Sequence, residues 1–233
     1  MNLEGKRALV TGGARRIGRA IVRALQARGA EVTVHYFSSE KEAKKLSPRT
    51  VRAELGDPEA LRRMMDSVGP LDVLINNASI FSKDALPEAT PERVRREFEI
   101  NLFAPMELLR RFAARGRAGA AINLLDQRVT GLDATCVPYL LTKKGLETLT
   151  RLAALEWAPR IRVNAVAPGP ILPPTGTASE PAGRIPLGRR PTPEEVAEAV
   201  VFLLEADSIT GQTIFIDGGR HLPGSQTGRE KEA

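Results

Sequence analysis

Short apolar runs alternate with longer segments whose apolar positions recur every three or four residues, and this alternation fills most of the chain. Apolar runs bounded by turn residues predict buried strands, and the longer periodic segments predict helices with one face in a core. Strands are expected at Ala8–Val10, Glu31–Tyr36, Thr50–Leu55, Leu71–Ile75, Ala120–Leu124, Ile161–Ala165 and Thr213–Ile216. Helices are expected at Ile17–Arg28, Ser39–Leu46, from Asp57-Pro58, from Thr90-Pro91 to about Ala114, over Val137–Trp157, and from Thr192-Pro193 to Glu205. Each of the three X-Pro pairs supplies a side chain that can cap a helix, followed by a residue preset for its first turn. Strand and helix in strict alternation predict an α/β fold, a parallel sheet of about seven strands with helices on both faces.

One domain over residues 1–223 follows, with neither a repeat nor an interdomain linker. Ala167 to Pro193 is rich in Pro, Gly and Thr and too long for an ordinary connection. A substrate loop around 168–192 is expected there, either a mobile lid or an ordered loop stiffened by prolines. The polar tail, 224–233, is expected to be disordered.

Charge and composition narrow the function. At 233 residues and 42% hydrophobic, the chain can bury a full core. Basic residues outnumber acidic ones by 34 to 28, a net charge of +6, but the arginines are scattered. Only 4% of residues are aromatic and no run interleaves rings with basic groups, which argues against nucleic acid and leaves a smaller phosphorylated ligand. The single cysteine, Cys136, excludes an internal disulfide and suits a reducing cytoplasm. No stretch of membrane length lacks a charge, and the opening residues are too few for a signal segment before the first strand. A soluble cytoplasmic protein is expected, with no membrane partner and no metal.

Thr11-Gly12-Gly13-Ala14-Arg15-Arg16-Ile17-Gly18 falls between the first strand and the first helix. Glycines there admit a pyrophosphate close to the backbone, and a helix N-terminus offers it free N–H groups. A dinucleotide is the expected ligand. At the end of the second strand the chain reads Val34-His35-Tyr36-Phe37-Ser38-Ser39, with no acid before Glu40. A carboxylate there would repel a 2′-phosphate, whereas Arg15, His35, Ser38 and Ser39 suit one, so NADP(H) is favoured.

Asp126, Tyr139 and Lys143 supply the candidate chemistry. Tyr139 and Lys143 are four apart and share a helix face, where the ammonium is expected to lower the phenol's pKa and fit it for proton transfer. The upstream carboxyl of Asp126 is placed to orient a substrate or join a proton relay.

These residues resemble the short-chain dehydrogenase/reductase family over roughly Lys6 to His221. The likeness rests on the Thr-Gly turn, Asn76-Asn77-Ala78, Asn101, Tyr139 with Lys143, Arg162-Val163-Asn164, Pro168-Gly169 and Asp217-Gly218-Gly219. It implies a Rossmann-type doubly wound sheet and a nicotinamide cofactor. It also implies Tyr139 as acid/base, Lys143 on the nicotinamide ribose, Asn101 in a relay through water, and a homotetramer. Cofactor contacts carried over are Gly12, Arg15, Arg16, Ile17, Gly18, His35, Ser38, Ser39, Glu54, Leu55, Asn77, Ala78, Ser79, Tyr139, Lys143, Pro168, Gly169 and Ile171.

Two departures discriminate within the family. Arg16 stands where a glycine is usual, and Asp126 where a serine is usual. A serine hydroxyl donates to a carbonyl oxygen, whereas an ionised carboxylate only accepts. Asp126 therefore implies a substrate with N–H donors or a basic ring nitrogen, or an Asp held protonated. Both departures are similar to the pteridine reductase branch, including dihydromonapterin reductases, as are Asn76 to Phe81 and the ending Asp217 to Leu222. In that likeness Arg16, Phe81, Asp126 and Tyr139 contact the substrate and Phe81 stacks on the pterin; for Phe81 the alternative is core packing. Ser38 departs from the branch, which has a basic residue there. The implied activity is NADPH-dependent reduction of a pterin C=N bond. The alternatives are a carbonyl reductase such as a 3-oxoacyl-carrier-protein reductase, and a non-catalytic NADP-binding regulator.

Overall fold

The computed structural model describes residues 1–171 and 185–222. Most of the expected substrate loop, from 172 to 184, and the tail from 223 lie outside the described residues. The strands are β1 (Arg7–Val10), β2 (Glu31–Tyr36), β3 (Thr50–Arg52), β4 (Val73–Asn76), β5 (Gly119–Leu124), β6 (Ile161–Pro168) and β7 (Thr213–Ile216). They form one parallel sheet in the order β3-β2-β1-β4-β5-β6-β7. Strand order reverses between β1 and β4, the crevice where such sheets bind ligands.

The helices are α1 (Arg16–Ala27), α2 (Glu40–Leu46), α3 (Pro58–Val68), α4 (Pro91–Phe98), α5 (Ala104–Ala114), α6 (Val137–Trp157) and α7 (Pro193–Glu205). Side chains alternate across the sheet and divide the core in two. Ala8, Val10, Val73 and Ile75 face Ile21 and Leu25 of α1 and Val200 and Leu204 of α7. Leu9, Leu74 and Ala121 turn the other way, onto Leu61 and Met65 of α3 and Leu108 and Leu109 of α5. Every residue of β4 and β5 is buried, so these strands are apolar apart from Asn76 and Asn123, which hydrogen-bond to each other at 2.9 Å.

The three expected caps form: Asp57 accepts from the Glu59 N–H, Thr90 from Arg93 and Thr192 from Glu195. Three elements differ from expectation by three residues or by a break. β3 stops at Arg52, because Glu54 to Asp57 form a turn. β6 runs three residues further than expected, to Pro168, because β7 pairs with it up to Ile216. The helix expected to run unbroken from Pro91 to Ala114 contains a π turn at Glu99–Phe103. Pro105 explains it: proline has no N–H for the carbonyl of Asn101 four residues back, and its ring would collide with that carbonyl in a regular α-helix.

The Arg162-Val163-Asn164 motif is structural. The Arg162 guanidinium donates to the carbonyls of Leu203 and Leu204 at the end of α7, at 2.7 and 2.6 Å. Asn164 donates to Ile209 and accepts from the Gln212 N–H, each at 2.9 Å. Together they tie α7 and the approach to β7 onto β6.

Candidate active site

The glycine turn leaves β1 at Thr11, whose hydroxyl accepts from the N–H groups of Asn77 and Ala78 at 2.9 and 3.0 Å. The Asn77 side chain donates to the carbonyls of Thr11 and Gly12 at 2.8 and 3.2 Å, binding the turn to the end of β4. A Cβ on Gly18 would lie 2.3 Å from the Gly12 carbonyl oxygen, so the turn closes only with glycine there. Arg16 adopts the left-handed conformation, φ 51°, that its usual glycine would take freely, a strain of about 1–2 kcal/mol for a side-chain-bearing residue.

This cradle fits a pyrophosphate. Residue Arg15 precedes α1 with no side-chain cap, and the first turn of α1 has no acid, unlike α3, α4 and α7, which are capped by their own side chains. The helix dipole and first-turn N–H groups therefore favour an anion there.

His35 does not face a phosphate, contrary to expectation. It is 2% exposed, accepts from the Gly12 N–H through Nδ1 at 3.1 Å, and has Nε2 3.2 Å from the Ala53 carbonyl. Both ring nitrogens are thus used in shaping the turn. Burial lowers its pKa to about 4, against a weaker upward pull from the Ala53 carbonyl and Glu54. The unfolded chain therefore takes up this proton more readily, so stability is lost as pH falls from 6.5 towards 4, by about 3 kcal/mol for this group. Urea unfolding at pH 7 and pH 4.5 should show this loss, and His35→Gln should remove most of it.

At the same edge Ser38 is exposed and Ser39 half-buried. Arg15 is exposed and ion-paired with Glu42, a partner the sequence reading missed. β3 brings a second cation: Arg52 lies opposite Tyr36 and donates to the Phe37 carbonyl at 3.2 Å. Of the other cofactor positions, Ala78 and Glu54 are half-buried and Ser79 is exposed. Leu55 and Ile171 turn their side chains into the core, so any cofactor contact there is through backbone. Gly169, beside Pro168, packs on Asp217, where a Cβ would meet the Asp217 Cβ at 2.6 Å.

Across the crevice, β5 ends at Leu124 and delivers Asp126 to a short 3-10 turn, Gln127–Thr130, opposite Tyr139 and Lys143 on α6. The Tyr139 hydroxyl donates to Asp126 Oδ2 at 3.1 Å. Lys143 Nζ donates to the Leu124 carbonyl at 2.8 Å and sits 5.6 Å from the Tyr139 ring centroid. The expected lowering of the phenol's pKa is overturned. Burial raises it well above its ordinary value, and the Asp126 charge and hydrogen bond add to that. The phenol stays protonated at neutral pH, the form a proton donor needs. Burial also lowers Lys143 to about 8, opposed by Asp126 and Glu97.

Phe81 is 48% exposed and stands edge-on to Tyr139, with ring centroids 4.8 Å apart, so it is not core packing. Its loop is clamped on both sides by residues one turn apart on one helix face. Asn101 accepts from the Ile80 N–H and donates to the Ile80 carbonyl, each at 2.9 Å. Glu97, buried and missed by the sequence reading, accepts from the Ser82 N–H and hydroxyl at 2.7 and 2.6 Å. The Asn101 side chain is thus spent on holding this loop, with a longer contact to Thr142 at 3.4 Å. Arg128 was also missed: it pairs with Asp126 at 3.0 Å and with Asp133 at 2.9 Å. On the open side, the Thr130 hydroxyl reaches the His221 carbonyl at 3.5 Å, and Asp217 holds the His221 ring at 2.9 Å.

A family model described as enoyl-(acyl carrier protein) reductase matches residues 12–221. L-xylulose reductase from Bos taurus is 38% identical over 240 residues, spanning 94% of this chain and 98% of that protein. FolM alternative dihydrofolate reductase 1 from Brucella canis, solved with NADP, is 35% identical with a TM-score of 0.88, covering 95% of this chain and 96% of that one. A blue fluorescent protein from a metagenomic library, solved with NADPH, is 32% identical with a TM-score of 0.89, covering 94% and 99%. Together with the seven-stranded sheet and the Tyr139–Lys143 pair on α6, these matches show that the chain belongs to the short-chain dehydrogenase/reductase family of oxidoreductases.

Proposed function

We propose that the protein is an NADPH-dependent reductase of a pterin C=N bond. The observation that carries this reading is Asp126, a carboxylate within hydrogen-bond reach of the proton donor Tyr139, whose ring meets the exposed ring of Phe81. A carboxylate accepts hydrogen bonds, so it suits a flat heterocycle with N–H groups and opposes a bare carbonyl oxygen. The FolM relative, a dihydrofolate reductase, acts on a substrate of that kind.

NADP(H), held at the glycine turn and by Tyr139 and Lys143, supplies the hydride when bound. Arg52, bonded to the Phe37 carbonyl, and Arg15, ion-paired with Glu42 of α2, would meet the 2′-phosphate; Arg52 takes the place of the basic residue absent at Ser38. Phe81 and Arg16 bound the substrate, and Phe81 gives it a flat apolar face. Tyr139 passes its proton to the ring nitrogen beside the reduced carbon, and Lys143 lies behind it for resupply. The exposed side chains of Leu141, Leu152 and Leu155 recur at helical spacing on α6, and Phe103 and Met106 stand exposed at the start of α5, apolar surface that supports a homotetramer.

The L-xylulose reductase relatives favour a second reading, reduction of a sugar ketone. Asp126→Ser separates the two. Pterin turnover should fall by about 10²-fold or more, the scale of losing an electrostatic partner in the site, while activity on simple ketones should rise. Unchanged pterin kinetics in this variant would remove Asp126 from the mechanism.

A further inference from the structure

Arg128 has no assigned part in the reaction, yet it is the residue most closely engaged with Asp126. Its backbone N–H donates to Asp126 Oδ1 at 2.9 Å and its Nη1 to Oδ2 at 3.0 Å, so a single residue holds both carboxylate oxygens. Oδ2 is also the oxygen that accepts from Tyr139. The guanidinium is fixed in turn: Nε donates to Asp133 Oδ2 at 2.9 Å, and Asp133 Oδ1 accepts from the Thr135 N–H and hydroxyl at 3.0 and 2.6 Å. Its Cζ lies 5.7 Å from the Phe81 ring centroid, so the cation also touches the ring that borders the site. The Arg128 side chain is 32% exposed and that of Asp126 15%, which leaves little water to screen the pair.

We infer that Arg128 is a positioning residue, which fixes the Asp126 carboxylate against the Tyr139 hydroxyl and balances its charge while Tyr139 gives up a proton. Without Arg128, a phenolate forming beside Asp126 would face an unbalanced negative charge 3.1 Å away. With it, the two anionic centres share one cation held from behind by Asp133. The charged and titratable groups around Tyr139 are Asp126 and Arg128 on the 3-10 turn, Cys136 at the start of α6, and Lys143 one turn along. Glu97 of α4 acts on Lys143.

The inference rests on the proposed function only in taking Tyr139 as the proton donor, and it is independent of the substrate. The test is therefore run on whichever of a dihydropterin, a sugar ketone and an acetoacetyl thioester the wild type reduces, so a wrong substrate class and a wrong role for Arg128 give different results. Arg128→Gln should lower kcat by about 10–100-fold, the scale of losing a partner that orients a reacting group, with KM little changed. The solvent deuterium isotope effect on kcat should rise, because proton loss from Tyr139 becomes slower when no cation balances the charge beside Asp126. Arg128→Lys keeps the charge but cannot bridge both carboxylates, so the isotope effect should fall back towards the wild-type value while kcat recovers only in part. Asp133→Asn touches neither Asp126 nor Tyr139, and should lower kcat more mildly with the isotope effect unchanged. A kcat within about twofold of wild type in Arg128→Gln would overturn the inference. So would an equal loss in the Gln and Lys variants with the isotope effect unchanged in both, since that is the behaviour of a tie holding the loop and nothing more.

Discussion

Tyr139→Phe should reduce turnover by about 10²–10⁴-fold, the usual contribution of a positioned proton donor. The loss should fall on kcat, because the ring keeps its place on α6 and its edge-on contact with Phe81. The fold should barely notice. One hydrogen bond to Asp126 disappears, worth about 1 kcal/mol, and Asp126 keeps both of its bonds to Arg128. The melting temperature should move by no more than about 2–4 °C. Steady-state kinetics beside a thermal melt check both halves. Near wild-type turnover would show that the proton comes from elsewhere.

Lys143→Met should have opposite effects on stability and activity. The ammonium is 3% exposed, with the Leu124 carbonyl as its hydrogen-bond acceptor. Its pKa is pushed down from 10.5 to about 8, mainly by burial. Below pH 8 the folded protein carries this charge at a cost of about 3 kcal/mol relative to the unfolded chain. Between pH 8 and 10.5 the unfolded chain holds the proton more tightly, so the wild type recovers that stability as pH rises through this window. A methionine of similar length removes the cost, and at pH 7 the variant should be the more stable protein, by up to about 3 kcal/mol less the lost hydrogen bond. Its turnover should nonetheless fall by at least about 10²-fold, because the charge beside Tyr139 is gone. Denaturant titrations of both proteins at pH 7 and pH 10 would show the stability gap closing as pH rises. A variant less stable than wild type at pH 7 would mean that the lysine is held by more than its one hydrogen bond.

The parts of this molecule that were legible in its sequence are those fixed by near neighbours in the chain. The Asp57, Thr90 and Thr192 caps each precede a proline by one residue, and the Tyr139–Lys143 spacing is one helical turn, so a few residues determine each geometry. Glu97 and Arg52, which the sequence does not single out, depend on contacts between distant segments. Glu97 lies beside Arg95 and Arg96 and reads as a solvated helix face; only the return of the loop at Ser82 buries it. Arg52 reaches the end of β2 because of the register between β2 and β3, which no local pattern specifies. His35 looked like a ligand residue at a strand end, but β2 lies between β1 and β3, and the ring is drawn into the glycine turn. Two local features carry readable signals as well: Pro105, four residues after Asn101, marks the π turn, and Arg128 stands two residues from Asp126 and five from Asp133. The phenol's electrostatics were misjudged because burial, which sequence spacing does not reveal, outweighs the neighbouring ammonium.

The central claim, that this site reduces pterins, is tested most directly by following NADPH oxidation by the purified protein with dihydrobiopterin or dihydromonapterin, with L-xylulose, and with an acetoacetyl thioester in parallel. The account predicts turnover on the pterins and little or none on the other two. Turnover confined to the sugar or the thioester would contradict it, and would mean that Asp126 serves a carbonyl substrate after all.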